Sequence, residues 1–294
     1  MSAKPRKPPG NLSHLQRLAN VAAAEASLPA GRYQRWVNTH IISAVLDRVR
    51  DEDGEPLFTL KGGAAMELRL GVNARASKDY DAAFRDRAEG MLDALDRALA
   101  EDWGGFQLQR TEPEPIRDTH AMRMDIKLSY KGKPWGTVQL EVAPAEGQAG
   151  QEIDRVAARP LDPVQIEGPE RIACVSVRYQ IAQKIHACTE IYTDGRENDR
   201  FRDLIDLQLL RELIEDGGWF AVREACIEIF ELRDKHIWPP QVTVHLSWPT
   251  GFAAMAADIA FYTDDVSIAA DDLRQFISEI ETARRSPTHS PGSP

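Results

Sequence analysis

The stretch Leu60-Lys61-Gly62-Gly63, followed by Arg75-Ala76-Ser77-Lys78-Asp79-Tyr80-Asp81, constrains this chain more than any other feature. Paired glycines after a short apolar run predict a tight turn, where the backbone can take positive φ and approach a ligand closely. A helix opening there points its free N–H groups and the positive end of its dipole at whatever sits beside the turn, typically a phosphate. Asp79 and Asp81 lie 16 and 18 residues past Gly63, room for one short helix and a returning strand. On that strand an Asp-x-Asp pair shares one face, because side chains alternate with a period of two. Two carboxylates about 4 Å apart repel by roughly 4 kcal/mol at an effective dielectric near 20, a cost that a divalent cation removes. Such a pair beside a glycine turn can hold metal ions and a phosphate chain together. Neither Gly-x-x-x-x-Gly-Lys-Ser/Thr nor Gly-x-Gly-x-x-Gly occurs, which excludes a P-loop and the usual dinucleotide fingerprint.

The 294 residues, 43% hydrophobic and 28% charged, suit a soluble protein of two compact units or of one domain with long additions. No run approaches the roughly 18 apolar residues needed to span a bilayer. Met1 to Pro9 has no apolar region after its charges, so it does not read as a signal peptide, and a cytoplasmic location is expected. Cys174, Cys188 and Cys226 lack Cys-x-x-Cys spacing and read as reduced, mostly buried thiols. Net charge is −10, which argues against non-specific nucleic-acid binding. Residues 1–50 nevertheless carry eight Lys and Arg against Glu25 and Asp47. That is a local +6, and it leaves −16 on the remainder. The basic segment is either a solvated helical surface or a surface for a phosphate backbone.

Periodicity gives the following order. A disordered basic tail covers 1–10, and helices follow near 11–27 and 34–50. A buried strand over 57–60 leads into the glycine turn and a helix over 64–70. A strand follows over 79–84 and a helix over 91–99. Residues 121–130 and 135–143 alternate apolar and polar side chains about the turn Lys131-Gly132-Lys133-Pro134, which predicts a β-hairpin. If the hairpin is symmetric about Lys133, Asp125 lies opposite Glu141. A boundary falls in 144–162, so one domain spans 11–160 and a mainly helical one 161–285. The latter has helices over 176–192, 200–216, 219–233 and 266–284, and a disordered tail covers 286–294.

A third carboxylate is normally wanted beside a metal-binding pair, and Glu141 and Asp125 are the candidates. Each reads equally well as an exposed strand residue. In the helical half, Val177, Ile181, Ile185 and Cys188 form an apolar stripe that Lys184 borders, while Asp203 and Asp206 share a face with Leu207 and Leu210. Carboxylates merging into an apolar stripe need a partner. Lys184 either pairs with them across two helices or meets a triphosphate, and Arg202 is a further partner for Asp206 at i, i+4. His186 reads as a packed or surface histidine rather than a metal ligand, since no second His stands at ligand spacing. Trp219, Trp238 and Trp248 read as core or docking aromatics.

Leu-Lys-Gly-Gly, Arg-x-Ser-x-Asp-x-Asp, a hairpin acid, a helix with Lys184 and an Arg-Asp-x-x-Asp helix occur in this order. The set resembles the AbiEii/AbiGii toxin family of the DNA polymerase β-like nucleotidyltransferase superfamily, over roughly residues 12–235. The resemblance implies an α+β fold: a small mixed β-sheet core flanked by helices, followed by a helical domain. It implies a Mg²⁺- (or Mn²⁺-) dependent nucleotidyltransferase that moves a nucleotide from a nucleoside triphosphate to an acceptor hydroxyl, with transfer RNA or another RNA among the acceptors. A toxin of a toxin–antitoxin or phage-defence system, with a cognate antitoxin as partner and no membrane, is the setting it implies. Within it, Lys61, Gly62 and Gly63 would cradle phosphates, although the family often has Ser where this chain has Gly63. Asp79 and Asp81 would bind the metal, with Glu141 as third acid and Asp125 as substitute. Lys184 would contact phosphates, and Asp203 or Asp206 would complete the site. The alternatives are transfer to a protein or small molecule, or a catalytically inactive nucleotide-binding protein.

Overall fold

The computed structural model describes residues 7–71, 74, 77, 79–117 and 119–285. Both expected tails thus fall largely outside the described residues, as do Arg75, Ala76 and Lys78 of the acidic motif. The chain divides into two units. One holds the described residues to Val175 apart from Ala74, and the other those from Ser176 onward.

The first unit begins with helices α1 (Leu12–Glu25) and α2 (Ala30–Leu46). The Asn11 side chain caps α1 by accepting the His14 N–H at 2.9 Å. There follow β1 (Phe58–Lys61), α3 (Gly62–Leu70), β2 (Tyr80–Phe84), α4 (Met91–Leu99), β3 (Phe106–Arg110) and β4 (Glu114–Pro115). Then come β5 (Met122–Tyr130), β6 (Lys133–Pro144), β7 (Ile153–Ala157) and β8 (Arg171–Val175). All eight strands form one mixed sheet in the order β3-β5-β6-β2-β1-β8-β7, with β4 beside β5. The α+β expectation of a mixed sheet flanked by helices therefore holds. Residues 161–175 depart from it: grouped by sequence with the helical half, they supply β8, which pairs with β1 and β7.

Strand alternation divides the sheet into two faces. Phe58, Leu60, Tyr80, Ala82, Phe84, Met124, Ile126, Leu128, Leu140 and Val142 are buried in one core with Val37, Ile41, Ile42 and Val45 of α2. The intervening positions carry the polar residues. Tyr80, between the two aspartates, is anchored by a buried 2.8 Å hydrogen bond between its hydroxyl and Ser43 Oγ. That anchor fixes which way the start of β2 faces. At the far end of α3, Arg69 donates to the Val175 carbonyl at 2.7 Å and pairs with Asp154 at 3.0 Å, tying the helix to β8 and β7.

The second unit contains α5 (Val177–Thr189), α6 (Phe201–Arg211), α7 (Trp219–Arg233), α8 (Trp248–Asp258) and α9 (Val266–Thr282). Asn198 links three of these elements. Its fully buried amide donates to the Ala187 and Glu190 carbonyls at the end of α5, both at 2.8 Å, and its Oδ1 accepts the Arg200 N–H ahead of α6. Its own carbonyl accepts the indole N–H of the buried Trp248. The sequence reading had no α8. Pro249 and Gly251 there suggest a turn, yet a Cβ on Gly251 would lie 2.6 Å from the Phe201 ring, so this glycine lets α8 sit against α6.

Among the buried polar groups of the first unit, His40 makes folding sensitive to acid. Its Nδ1–H donates to the Trp36 carbonyl at 2.8 Å, while Nε2 is buried with no hydrogen-bond partner. Burial first, and the nearby Arg159 charge after it, outweigh the Trp36 bond and push the imidazole down to about 4. The unfolded chain therefore takes up this proton near pH 6.5 and the folded chain only near 4, so stability falls as pH drops through that window. The expected loss from this group between pH 7 and 5 is about 2 kcal/mol. Urea unfolding at the two pH values should show a loss smaller by that amount in His40→Leu.

Candidate active site

Register across the polar face of the sheet aligns five charged residues. Lys61 on β1 pairs with Asp81 on β2, Asp81 with Glu141 on β6, Glu141 with Arg123 on β5, and Arg123 with Glu114 on β4. Residues paired in register share a face, so the row reads plus, minus, minus, plus, minus. Asp81 and Glu141, on adjacent parallel strands, are its middle pair.

Asp79 is not on the strand, contrary to the Asp-x-Asp expectation. It sits at a bend one residue before β2 and is exposed, while Asp81 is half-buried. Its charge still reaches the row. The Arg123 guanidinium is held above its ordinary value by its hydrogen bonds to Glu141 and by the Glu141 charge, with smaller contributions from Asp79 and Glu114. The segment before Asp79 is braced by Glu67 of α3. One Glu67 oxygen accepts Arg32 Nε from α2 at 2.9 Å, and the other accepts the Ser77 N–H at 3.3 Å. Ser77 Oγ then donates to the Asp79 carbonyl at 3.0 Å.

The glycine turn explains why Asp81 can sit where it does. Lys61 ends β1, and Gly62, with φ +61°, opens α3, so both glycines belong to the first helical turn. A Cβ at Gly62 would lie 1.9 Å from Asp81 Oδ2. The carboxylate therefore occupies space that any other residue would fill. It also lies against a helix N-terminus, where the dipole favours negative charge.

The hairpin register corrects one expectation. Arg123, not Asp125, lies opposite Glu141, and Asp125 pairs with Gln139. The turn is only Lys131-Gly132, both at positive φ, as a two-residue type I′ turn requires. An irregularity at Leu128/Ser129 shifts the pairing back by one residue, which leaves a net slip of two. Because that slip is even, Asp125 stays on the polar face, two pairs closer to the turn than Arg123. This leaves Glu141 as the hairpin acid beside Asp81.

Among the described residues, no three His, Cys, Asp or Glu side chains gather closely enough to form a metal site. The carboxylate oxygens of Asp81 and Glu141 are nonetheless the hard donors that Mg²⁺ or Mn²⁺ prefers. The Gly62 cradle keeps one wall of the site free of side-chain carbon. The donor set fits such an ion. Glu141 Oε1 instead accepts the Arg123 Nε–H at 2.8 Å, with Nη2 2.7 Å away in the same ion pair.

In the helical unit, Lys184 Nζ donates to Asp203 Oδ1 at 2.6 Å and Asp206 Oδ2 at 2.7 Å. All three side chains are buried. Burial, the largest influence, pushes the ammonium down, but the two carboxylates outweigh it and hold it above the ordinary lysine value. The choice between Asp203 and Asp206 thus dissolves, since both hold Lys184. The trio still carries a net negative charge, and Asp203 Oδ2 is buried without a hydrogen-bond partner. His186 is packed among Phe230 and His236, as its sequence context implied.

Sequence reasoning missed Arg123 and the Glu67 brace. The signal for Arg123 was present: it stands at the polar phase of β5, two residues before Asp125. Glu67, within an apolar helix, carried no such signal.

The Gly62 cradle makes a direct prediction. Gly62→Ala combines an unfavourable φ with a clash against Asp81, whereas Gly54→Ala meets only the φ cost, since Gly54, at φ +81°, has nothing within 4 Å. Gly62→Ala should cost about 1–3 kcal/mol by urea unfolding and Gly54→Ala about 1. Equal losses would mean that the Asp81 contact is unimportant.

Comparison with known proteins follows the same lines. A family described as the nucleotidyl transferase AbiEii toxin of type IV toxin–antitoxin systems matches residues 44–285. No curated protein matches the chain. Among solved structures, MenT4, a nucleotidyltransferase toxin from Mycobacterium tuberculosis H37Rv, aligns at a TM-score of 0.46 and 18% identity, covering 94% of this chain and 100% of that one. The Megavirus polyadenylate synthase aligns at a TM-score of 0.34 and 7% identity, covering 87% of this chain and 45% of that one. The family match spans the sheet, the glycine turn, the acid row and the Lys184 helices, and the chain belongs to the AbiEii family of nucleotidyl transferase toxins.

Proposed function

We propose that the chain transfers a nucleotide from a nucleoside triphosphate to an acceptor hydroxyl, with Mg²⁺ or Mn²⁺ held by Asp81, Glu141 and Asp79. The observation that carries this reading is the placement of Asp81 and Glu141 side by side in register, with Asp81 against the Gly62 backbone. A bound cation would polarise the phosphoryl oxygens and lower the pKa of the attacking hydroxyl.

The chain's own groups supply the rest. The N-terminus of α3, with Gly62 and Gly63 in its first turn, offers backbone N–H groups and a positive dipole to the triphosphate. Lys61, next in the row to Asp81, adds a cation on the same face. The acceptor oxygen bonds to the α-phosphorus as the bond to the β-phosphate oxygen breaks. Pyrophosphate leaves, and the hydroxyl proton passes to a carboxylate of the row or to water. The phosphate-binding role that the resemblance gives Lys184 is tested separately, because within the helical unit its ammonium is bonded to Asp203 and Asp206.

An RNA hydroxyl, transfer RNA first, is the acceptor the family suggests, and a cognate antitoxin is the expected partner. The basic first segment adds little support. Arg32 is engaged by Glu67, Arg48 by the Glu101 and Asp102 carbonyls, and Arg50 by Asp47.

Labelled nucleoside triphosphates incubated with RNA, protein and metabolite pools test the reading. Wild-type protein should label RNA only with Mg²⁺ or Mn²⁺ present. Asp81→Asn and Glu141→Gln should each lower transfer at least about 100-fold while still folding. Unchanged transfer in both would remove the proposal. Lys184 needs a different design, because deleting it alone strands two buried carboxylates at a cost of about 3–5 kcal/mol. Lys184→Met combined with Asp203→Asn and Asp206→Asn removes the charges together. This folded variant should be inactive, and retained activity would make the trio a structural element.

A further inference from the structure

We infer that Arg123 is the internal counter-ion of the acid row: it holds Glu141 in the metal-free protein, competes with the divalent cation for that carboxylate, and so sets the cation's affinity. The inference rests on the reading of Glu141 as a metal ligand.

Three observations carry it. First, the row places Arg123 directly across from Glu141 and two strands from Asp81, so a cation stands on the outer side of the carboxylate pair. Adjacent strands lie about 4.8 Å apart, and two ionised carboxylates at that spacing need a positive neighbour. Second, Glu141 is turned to Arg123 and not into a cluster with Asp79 and Asp81. Its Oε1 accepts the Arg123 Nε–H at 2.8 Å with Nη2 2.7 Å away, and no group of three acids able to hold a metal forms among the described residues.

Third, Arg123 is held in a way that permits release. The structural arginines of this unit have several anchors and little exposure. The Arg85 side chain, 7% exposed, donates to the Gly150 and Pro56 carbonyls as well as to Asp51. Arg69, 8% exposed, has Val175 and Asp154. The Arg123 side chain is 45% exposed, and among the described residues Glu141 is its only hydrogen-bond acceptor. A half-exposed ion pair contributes little to stability and exchanges readily. A divalent cation held by Asp81 and Glu141 would take over the neutralising role of the guanidinium and, by like-charge repulsion, release it from Glu141. Arg123 is thus a positioning residue: it presets the Glu141 carboxylate and raises the cation concentration at which the site fills.

Mn²⁺ binding to the full chain without nucleotide, followed by electron paramagnetic resonance, tests this. Arg123→Gln should tighten Mn²⁺ binding by roughly fivefold, the scale of a part-exposed ion pair. Arg123→Lys, which keeps the charge but loses the fork, should tighten it by less. The gain should vanish when Glu141→Gln is combined with Arg123→Gln. If Glu141→Gln weakens Mn²⁺ binding but Arg123→Gln and Arg123→Lys leave it unchanged or weaker, the competition is wrong and the metal reading stands. If Asp81→Asn and Glu141→Gln leave Mn²⁺ binding untouched, the metal reading fails and the inference falls with it.

Discussion

The site depends on one close approach, that of the Asp81 carboxylate to the α-carbon of Gly62. Asp81 can occupy that position only because residue 62 has no side chain, and because β1 runs straight into α3 without a loop. Each further element of the site is placed relative to this contact. The antiparallel pairing of β1 and β2 sets Lys61 against Asp81. The parallel pairing of β2 and β6 brings Glu141 alongside, and the hairpin adds Arg123. The Tyr80–Ser43 hydrogen bond holds the phase of β2 from the core side, so that the carboxylate faces the helix terminus.

Both units solve the same electrostatic problem, to different degrees. In each, two carboxylates are brought together and positive charge is set against them. In the helical unit Lys184 is buried and bonded to both acids at 2.6–2.7 Å, an arrangement that is costly to break because desolvated charges cannot be left unpaired. On the sheet Lys61 and Arg123 flank the pair, and Arg123 is half-exposed and bonded to one acid. Burial separates a fixed charge cluster from an exchangeable one. The family assignment says what chemistry the chain carries out, and this contrast says which of its charges can change partners during that chemistry.

Much of the first unit was legible in the sequence because its strands alternate cleanly. Residues 121–130 and 135–143 gave the hairpin, and α4 matches its apolar stripe over Met91–Leu99. Glu141 and Lys184 stood at positions where a polar residue borders an apolar pattern, and both lie in charged clusters. The register was less legible. Pairing Asp125 with Glu141 assumed a turn centred on Lys133, whereas the positive φ of Lys131 and Gly132 closes the hairpin two residues earlier. Strands β3, β4, β7 and β8 were missed because they are short and follow segments rich in Gly, Pro and charge. Their pairing comes from the sheet rather than from local pattern. The partner of Arg123 was hidden by that register error, and those of Glu67 depend on which helix and loop arrive from elsewhere in the chain.

The most direct test of the account is the anomalous scattering of Mn²⁺ in crystals of the protein grown with a non-hydrolysable nucleoside triphosphate. The account predicts a peak bonded to carboxylate oxygens of both Asp81 and Glu141 beside Gly62, with the Arg123 guanidinium no longer on Glu141. A metal found elsewhere in the chain, with Glu141 still held by Arg123, would contradict it.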